Sequence, residues 1–317
     1  MNKSGFIATL AAYVIWGLLP IYWKLLATVS SEEILAHRIV WSFIFLLLLL
    51  SLQKALPKFT GALKNPFTRR LFFLNGLIIS MNWFIYIWAV NHNFIVEASL
   101  GYYINPIVSI IFGVFFFREK LSRIEWLAIL LATIGVLILT IGYGKFPWIS
   151  LALAFSFGFY GVVKKQRPLE STVSLTIETL APLPIALLFL GYMGVSGQET
   201  FTSSPLPIAL LFLGYMGVSG QETFTSSPFV MIGLFLTGII TAVPLLLFGF
   251  GAQRIPFTVV GFLQFVAPTL SLAIGVLLYN EPFTRTHLIA FTFIWSAALV
   301  FTLNGLLIRK KQLRKVA

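Results

Sequence analysis

The chain of 317 residues has no cysteine and no aspartate, three histidines, and ten acidic residues that are all glutamate. Without cysteine there are no disulfides, thiol nucleophiles or Cys-ligated metals. Without aspartate, Asp-dependent phosphoryl transfer and the aspartic-protease dyad are excluded. His37, His92 and His287 stand far apart, without the H-E-x-x-H spacing of a metalloprotease, and no G-x-x-x-x-G-K-S/T loop is present to hold ATP. Charged residues make up only 10% of the chain, against roughly 25% in a soluble domain. In their place are 58% hydrophobic and 16% aromatic residues, with a mean hydropathy of +0.94. The solvent of such a chain is mostly lipid, so soluble enzyme folds, disordered tails and disulfide scaffolds are set aside.

A helix needs roughly 20 apolar residues to cross about 30 Å of hydrocarbon. Ten stretches meet or approach that length: 5–26, 34–52, 70–90, 98–117, 124–142, 147–163, 172–194, 229–250, 257–279 and 286–308. The longest polar link is 53–69, too short for a soluble domain. The first stretch is read as a span rather than a cleavable leader, because it holds Trp16, Pro20, Tyr22 and Trp23 and no small-residue cleavage site follows. With both termini cytoplasmic and ten alternating helices, 18 Lys and Arg fall inside and only Lys24, Arg38, Lys145 and Arg285 outside. The net charge of +12 is therefore explained by topology and attraction to anionic lipid, not by nucleic-acid binding.

Two internal repeats differ in kind. Residues 98–140 align with 260–302 at an offset of 162, matching Pro106 with Pro268, Ser109 with Ser271, Gly113 with Gly275, Glu119 with Glu281 and Arg123 with Arg285. The Glu119 loop is expected inside and the Glu281 loop outside, so the halves 1–142 and 143–317 are read as inverted. The fold expected is an all-α polytopic membrane protein with ten transmembrane helices as a five-plus-five inverted repeat, an arrangement common in secondary transporters. The second repeat is identical: LPIALLFLGYMGVSGQETFTSSP occupies 183–205 and again 206–228. Such identity marks a recent tandem duplication or an artificial one. The apolar part of the second copy, 206–219, rises roughly 21 Å as a helix, short of a full span. Were it to cross, the Lys/Arg bias would fall from 18:4 to 13:9. A short interfacial or re-entrant helix starting near Pro207 in the outer loop is therefore expected.

Polar groups inside spans tend to face a protein interior or a wet cavity. Tyr13, Trp16, Pro20 and Lys24 share one helical face, as do Asn75, Asn82 and Tyr86. Ser99, Tyr102, Pro106 and Ser109 share another, with Asn105 beside it; Gln264, Pro268 and Ser271 repeat that pattern, and Thr237, Thr241 and Pro244 add a further set. The substrate-binding candidates are Tyr13, Trp16, Asn75, Asn82, Tyr86, Tyr102, Asn105, Ser109, Thr241 and Gln264, lining an uncharged, aromatic cavity suited to amphipathic or zwitterionic solutes. Helix–helix packing is the competing reading for each residue alone. Glu178 is the one acid placed inside a span and the candidate for proton coupling; its alternative is an interfacial carboxylate or a pair with Lys164 or Lys165. His37 and Arg38 are read as an interfacial cap and ion pair with Glu32 and Glu33, and Lys24 as snorkelling outward. Glu119 and Glu281 are expected to orient their loops through backbone amides or the neighbouring Arg123 and Arg285. No catalytic residue, cofactor or metal is expected.

The runs YVIWGLLPIYWK (13–24), EILAHRIVWS (33–42), NWFIYIWAVNHNFIVEASLGYYINP (82–106), PWISLALAFSFGFYG (147–161), TAVPLLLFGFGAQR (241–254) and GFLQFVAPTL (261–270) resemble the RarD branch of the EamA-type drug/metabolite transporters. They span nearly the whole chain apart from the duplicate, which departs from the family pattern. The resemblance implies a ten-helix inverted-repeat permease of the bacterial cytoplasmic membrane. Members of the wider superfamily export amino acids, nucleobases and other metabolites. The expected function is thus a secondary transporter exporting a small amphipathic metabolite or drug-like compound by alternating access, in contact with membrane lipids and compatible with a homodimer. The alternatives are a non-transporting scaffold or inactivated permease, since the duplication interrupts the fold, and an intramembrane enzyme, for which only Glu178 is available.

Overall fold

The computed structural model describes residues 2–26, 29–91, 94–196, 228–279 and 283–316. Among them are thirteen α-helices and no strand. In order these are α1 (Lys3–Leu25), α2 (Ser31–Leu52), α3 (Leu56–Lys64), α4 (Pro66–Asn91), α5 (Ile95–Phe117), α6 (Arg123–Tyr143) and α7 (Trp148–Gln166). They continue with α8 (Ser171–Leu180), α9 (Leu183–Ser196), α10 (Pro228–Ala252), α11 (Phe257–Gln264), α12 (Val266–Tyr279) and α13 (Arg285–Val316). Seven stretches of the described residues are long and apolar enough to cross a membrane, the α11–α12 segment counting as one, and eight if the bent pair α8–α9 forms one span. Helices α4 and α7 cover two more of the expected stretches but fall outside that set. Lys164 and Lys165 lower the hydropathy of α7.

Three features differ from the sequence expectation. The polar link 53–69 contains a helix, α3, with Pro57 in its first turn and Phe59 buried. Its apolar residues are too few to read as a span, yet they complete a cluster of Leu50, Ala55, Phe59, Phe72, Val173 and Ile177. The expected helix 172–194 breaks between Leu180 and Leu183, with a bend of 48°. Pro182 and Pro184 cause this: neither has an N–H, so the carbonyls of Glu178 and Leu180 lose their intrahelical donors. The stretch 257–279 breaks at Phe265, where Pro268 likewise leaves the Gln264 carbonyl without its donor. The short helix expected near Pro207 lies outside the described residues.

Ser30 caps α2 by accepting from the Glu33 amide at 3.3 Å, and Ser122 with Glu125 forms a reciprocal capping box on α6. Gly144, at φ +75°, ends α6 in the left-handed conformation.

The chain divides into two compact units. The first comprises Met1–Pro20, Ile85–Pro168 and Leu247–Ala317; the second comprises Ile21–Phe84 and Leu169–Leu246. Each draws chain from both sides of residue 142. The boundaries at Ile85 and Leu247 are 162 residues apart, the offset of the divergent repeat. In the first unit α6 packs on α13, and α5 on α7 and α11. A Cβ at Gly261 would stand 2.8 Å from the Pro106 carbonyl, so the α5–α11 crossing is a backbone contact. In the second, α2 packs on α8 and α9, and α3 on α8.

Candidate functional site

The predicted site residues divide between the units. Tyr13, Trp16, Tyr86, Tyr102, Asn105, Ser109 and Gln264 belong to the first; Asn75, Asn82, Thr241 and Glu178 belong to the second.

In the first unit, Trp16 is the hub of an aromatic cluster. Its ring centroid lies 5.4 Å from Tyr13, 5.7 Å from Phe157 and 5.8 Å from Phe248. Tyr160 stacks on Phe248 at 6.0 Å. Phe157, Tyr160 and Phe248 were not among the sequence candidates: each reads as ordinary apolar packing until the fold gathers Phe157 and Phe248 against Trp16 and Tyr160 against both. Tyr13 is buried, with its hydroxyl beside the Gln264 side chain and without a partner at hydrogen-bond geometry. The Gln264 amide, the Asn105 carbonyl and the Ser109 hydroxyl are also buried without hydrogen-bond partners. An unmet buried polar atom costs about 1–3 kcal/mol, and several on neighbouring helices call for a functional explanation. Tyr86 and Tyr102 pair edge to face at 5.6 Å, with Tyr102 47% exposed. Ser271 donates to the Gly17 carbonyl at 3.2 Å, and Tyr103 donates to that of Pro268, also at 3.2 Å.

Two glutamates of this unit serve as remote helix caps. Helices α7 and α11 begin after Pro147 and Pro256, which offer no side-chain acceptor to the first amides. Glu97, only 2% exposed, accepts from the Ile149 amide at 2.9 Å. Glu119 accepts from the Phe257 and Thr258 amides at 2.6 and 2.9 Å, where negative charge also meets the positive end of the α11 dipole. The expectation that Glu119 bonds backbone amides is thus realised on a distant helix, not on its own loop. Glu281 lies outside the described residues.

Lys165 sits 3.6 Å from Glu119 and donates to the Ile255 carbonyl. Burial pushes its ammonium below the usual 10.5, and the Glu119 carboxylate pulls it partly back. Glu119→Ala is expected to lower unfolding stability by about 2–4 kcal/mol, since two hydrogen bonds to a charged acceptor vanish. Glu119→Gln, keeping one acceptor, should lose about half as much. Without the carboxylate Lys165 falls further below 10.5. Its unfolded state then binds the extra proton in that window, so stability of the alanine variant rises more steeply toward alkaline pH than that of the parent. Thermal unfolding of the purified chain across pH measures both effects.

In the second unit, Glu178 is 1% exposed and accepts from Asn75 Nδ2 at 2.8 Å. Asn82 and Thr241 are buried. Glu178 is not the sole buried acid: Glu33 is fully buried and its Oε1 lies 4.0 Å from Nε2 of His37, one turn along α2. Arg38 also makes contacts that the sequence did not suggest. Its guanidinium carbon lies 5.0 Å from the Trp23 ring and 4.8 Å from the Trp83 ring, and its Nε donates to Thr241 Oγ1 at 3.0 Å. Lys24 is exposed, as a snorkelling side chain would be.

Residues 3–141 match the EamA-like transporter family. YojE of Bacillus subtilis, an uncharacterized transporter, is 43% identical over 96% of this chain and 95% of its own length. The protein RarD of Salmonella typhimurium is 36% identical over 98% of both chains. The chain belongs to the RarD branch of the EamA-like transporter family. RarD of Escherichia coli is similarly related, at 35% identity over 98% of this chain and 97% of its own. A solved crystal structure shares the fold of this EamA-like chain at a TM-score of 0.68 and 17% identity, over 96% of this chain and 99% of the other. The protein is accordingly a multi-pass membrane protein of a transporter family.

Proposed function

We propose that this EamA-like chain is a secondary permease of the bacterial cytoplasmic membrane that exports a small amphipathic solute by alternating access. The observation that carries the reading is the set of buried polar groups left unpaired beside an aromatic cluster in the first unit: the Tyr13 hydroxyl, the Gln264 amide, the Asn105 carbonyl and the Ser109 hydroxyl. Aromatic faces take an apolar body, and the unpaired donors and acceptors fix its orientation. Ten spans with both termini cytoplasmic, arranged as inverted halves 1–142 and 143–317, form the architecture proposed. The Lys/Arg bias supports that topology, and the 162-residue spacing shared by the sequence repeat and the unit boundaries supports the inversion. No ATP-binding loop occurs in the sequence, so the energy comes from a gradient, with Glu178 as the proton-coupling residue.

The test is a comparison of metabolites retained and excreted by cells with and without the chain, followed by transport of the differing compounds in proteoliposomes. Export that depends on the chain, and falls in a Gln264→Leu variant of normal abundance, is the expected result. Identical metabolite profiles would rule out the permease and favour an inactivated descendant, a reading that the identical 23-residue tandem copy motivates.

A further inference from the structure

The repeat at an offset of 162 residues reaches beyond 98–140 and 260–302 into the helices of the second unit. Helices α4 and α10 both open on Pro-Phe, at 66–67 and 228–229, and both continue to a Phe-Leu-x-Gly run, at 73–76 and 235–238. Gly76 and Gly238 thus stand ten residues after the opening proline of their helices. The structure puts both to the same use. A Cβ on Gly76 would lie 2.8 Å from the carbonyl carbon of Glu178. A Cβ on Gly238 would lie 2.6 Å from the amide nitrogen of Ser42 and closer still to the carbonyl carbon of Trp41. In each case helix meets helix through backbone, which only a glycine permits. Helix α4 of the proposed first half touches α8 of the second, and α10 of the second touches α2 of the first. A hydrogen bond stands beside each glycine: Asn75 Nδ2 donates to Glu178 Oε1 at 2.8 Å, and Ser42 Oγ donates to the Gly238 carbonyl at 3.1 Å.

We infer that Gly76 and Gly238 are the paired fulcra of this transporter: α4 turns against α8 at Gly76 and α10 against α2 at Gly238, the helix ends moving while the two contacts stay closed. The inference rests on the permease reading and names the points about which the second unit moves. A contact without side chains has nothing to unlock when one helix rotates on the other. Away from it side chains interlock, and these are what a rotation rearranges. The contact occurs twice at the repeat offset, each time joining one half to the other, as inverted repeats that exchange conformations require. The geometry fixes the sign of the motion. Ile34 and Val230, each eight residues before its crossing residue, Ser42 or Gly238, pack against one cluster of Leu26, Val29, Trp41 and Leu234. Helices α2 and α10 therefore run in the same direction through their crossing, and a rotation that parts one pair of ends closes the other. Eight residues are roughly 12 Å of helix, so a rotation of about 20° displaces an end by about 4 Å.

The chain has no cysteine, so introduced pairs are its only thiols and take spin labels specifically. Three pairs are placed on α2 and α10 of the full chain: Ile34→Cys with Val230→Cys, Ile44→Cys with Leu236→Cys at the crossing, and Leu52→Cys with Leu246→Cys. Pulsed EPR distances are measured in phosphatidylcholine vesicles at acid and at alkaline pH. The crossing pair is expected to hold its distance within about 1 Å, while the two end pairs shift by about 4 Å in opposite directions. A crossing pair that moves as far as the ends, end pairs that move in the same direction, or three pairs that do not move each overturn the inference. Hydrogen exchange of the unlabelled chain is the second measurement, free of any packing change from the labels. After correction for intrinsic rates, amides around Gly76 and Gly238 should keep their protection at both pH values while those toward the helix ends change. Protection lost first at the glycines overturns the inference as well. The permease reading is read separately: cells with and without the chain that excrete the same metabolites remove it whatever the labels do. Chain-dependent excretion with ends and crossing moving together removes the fulcra alone.

Discussion

A Gly76→Ala chain is expected to lose its folded state in detergent, with a drop in unfolding midpoint larger than that of any other single-methyl addition described here. A Cβ at Gly76 would lie 2.8 Å from both the carbonyl carbon and the Cα of Glu178, and closer still to the carbonyl oxygen. These are backbone atoms, so no rotamer can relieve the overlap and the crossing of α4 and α8 must open. The cost lies at or above the upper end of the ~1–3 kcal/mol typical of overpacking. The reason the backbones meet is chemical as well as steric. Pro182 deprives the Glu178 carbonyl of its intrahelical N–H, and a glycine can bring its Cα hydrogens against that exposed acceptor. Gly61→Ala and Gly191→Ala are the controls, since an added Cβ at either position meets nothing within 4 Å. Both should be neutral or slightly stabilising, because alanine is the better helix former by about 1 kcal/mol. Thermal unfolding followed by size-exclusion profile distinguishes the cases. A Gly76→Ala chain as stable as Gly61→Ala would show that the crossing is not close.

Hydropathy alone located nearly every long helix, because a span must be apolar over a length that the bilayer fixes. What it concealed was local. The breaks at Pro182 and Pro268 sit within runs whose apolar composition continues unchanged across them, so a window of mean hydropathy passes over a missing N–H. Helix α3 was hidden for the opposite reason: its buried face is little more than Phe59, Ala62 and Leu63, below what a span search registers. The candidate site was legible as residue types and not as partnerships. Tyr13, Asn105, Ser109 and Gln264 were recognisable as polar groups on apolar helices, but that their atoms stay unpaired depends on side-chain geometry. Glu97 and Glu119 show the limit clearly. Each caps a helix that begins far along the chain, after Pro147 or Pro256, and no local pattern announces a partner 52 or 138 residues away. The contacts of Arg38 with Trp23, Trp83 and Thr241 were not legible along α2, because those residues reach it from elsewhere in the unit.

Glu178→Gln is expected to leave a folded chain that no longer concentrates its solute, with gradient-driven transport falling on the order of 10²-fold, the lower range for losing a positioned proton-transfer group. The side chain is 1% exposed, and Asn75 holds its Oε1 at 2.8 Å. Glutamine keeps the volume and can still accept from Asn75 through its carbonyl, so the packing of α4 on α8 survives. What it removes is the ability to gain and release a proton. Energy coupling and solute passage then come apart. Exchange of labelled for unlabelled solute across proteoliposomes, which needs no net proton movement, should persist in Glu178→Gln, while accumulation driven by an imposed pH gradient should vanish. Glu178→Asp retains a carboxyl group but draws it back by one methylene from Asn75, and is expected to recover part of the accumulation. Asn75→Ala supplies the converse: the carboxyl remains and its fixed donor is gone, leaving coupled transport weakened but present. If Glu178→Gln accumulates solute as the parent does, the residue is packing, and the crossing it shares with Gly76 exists to hold two helices together and not to carry a proton.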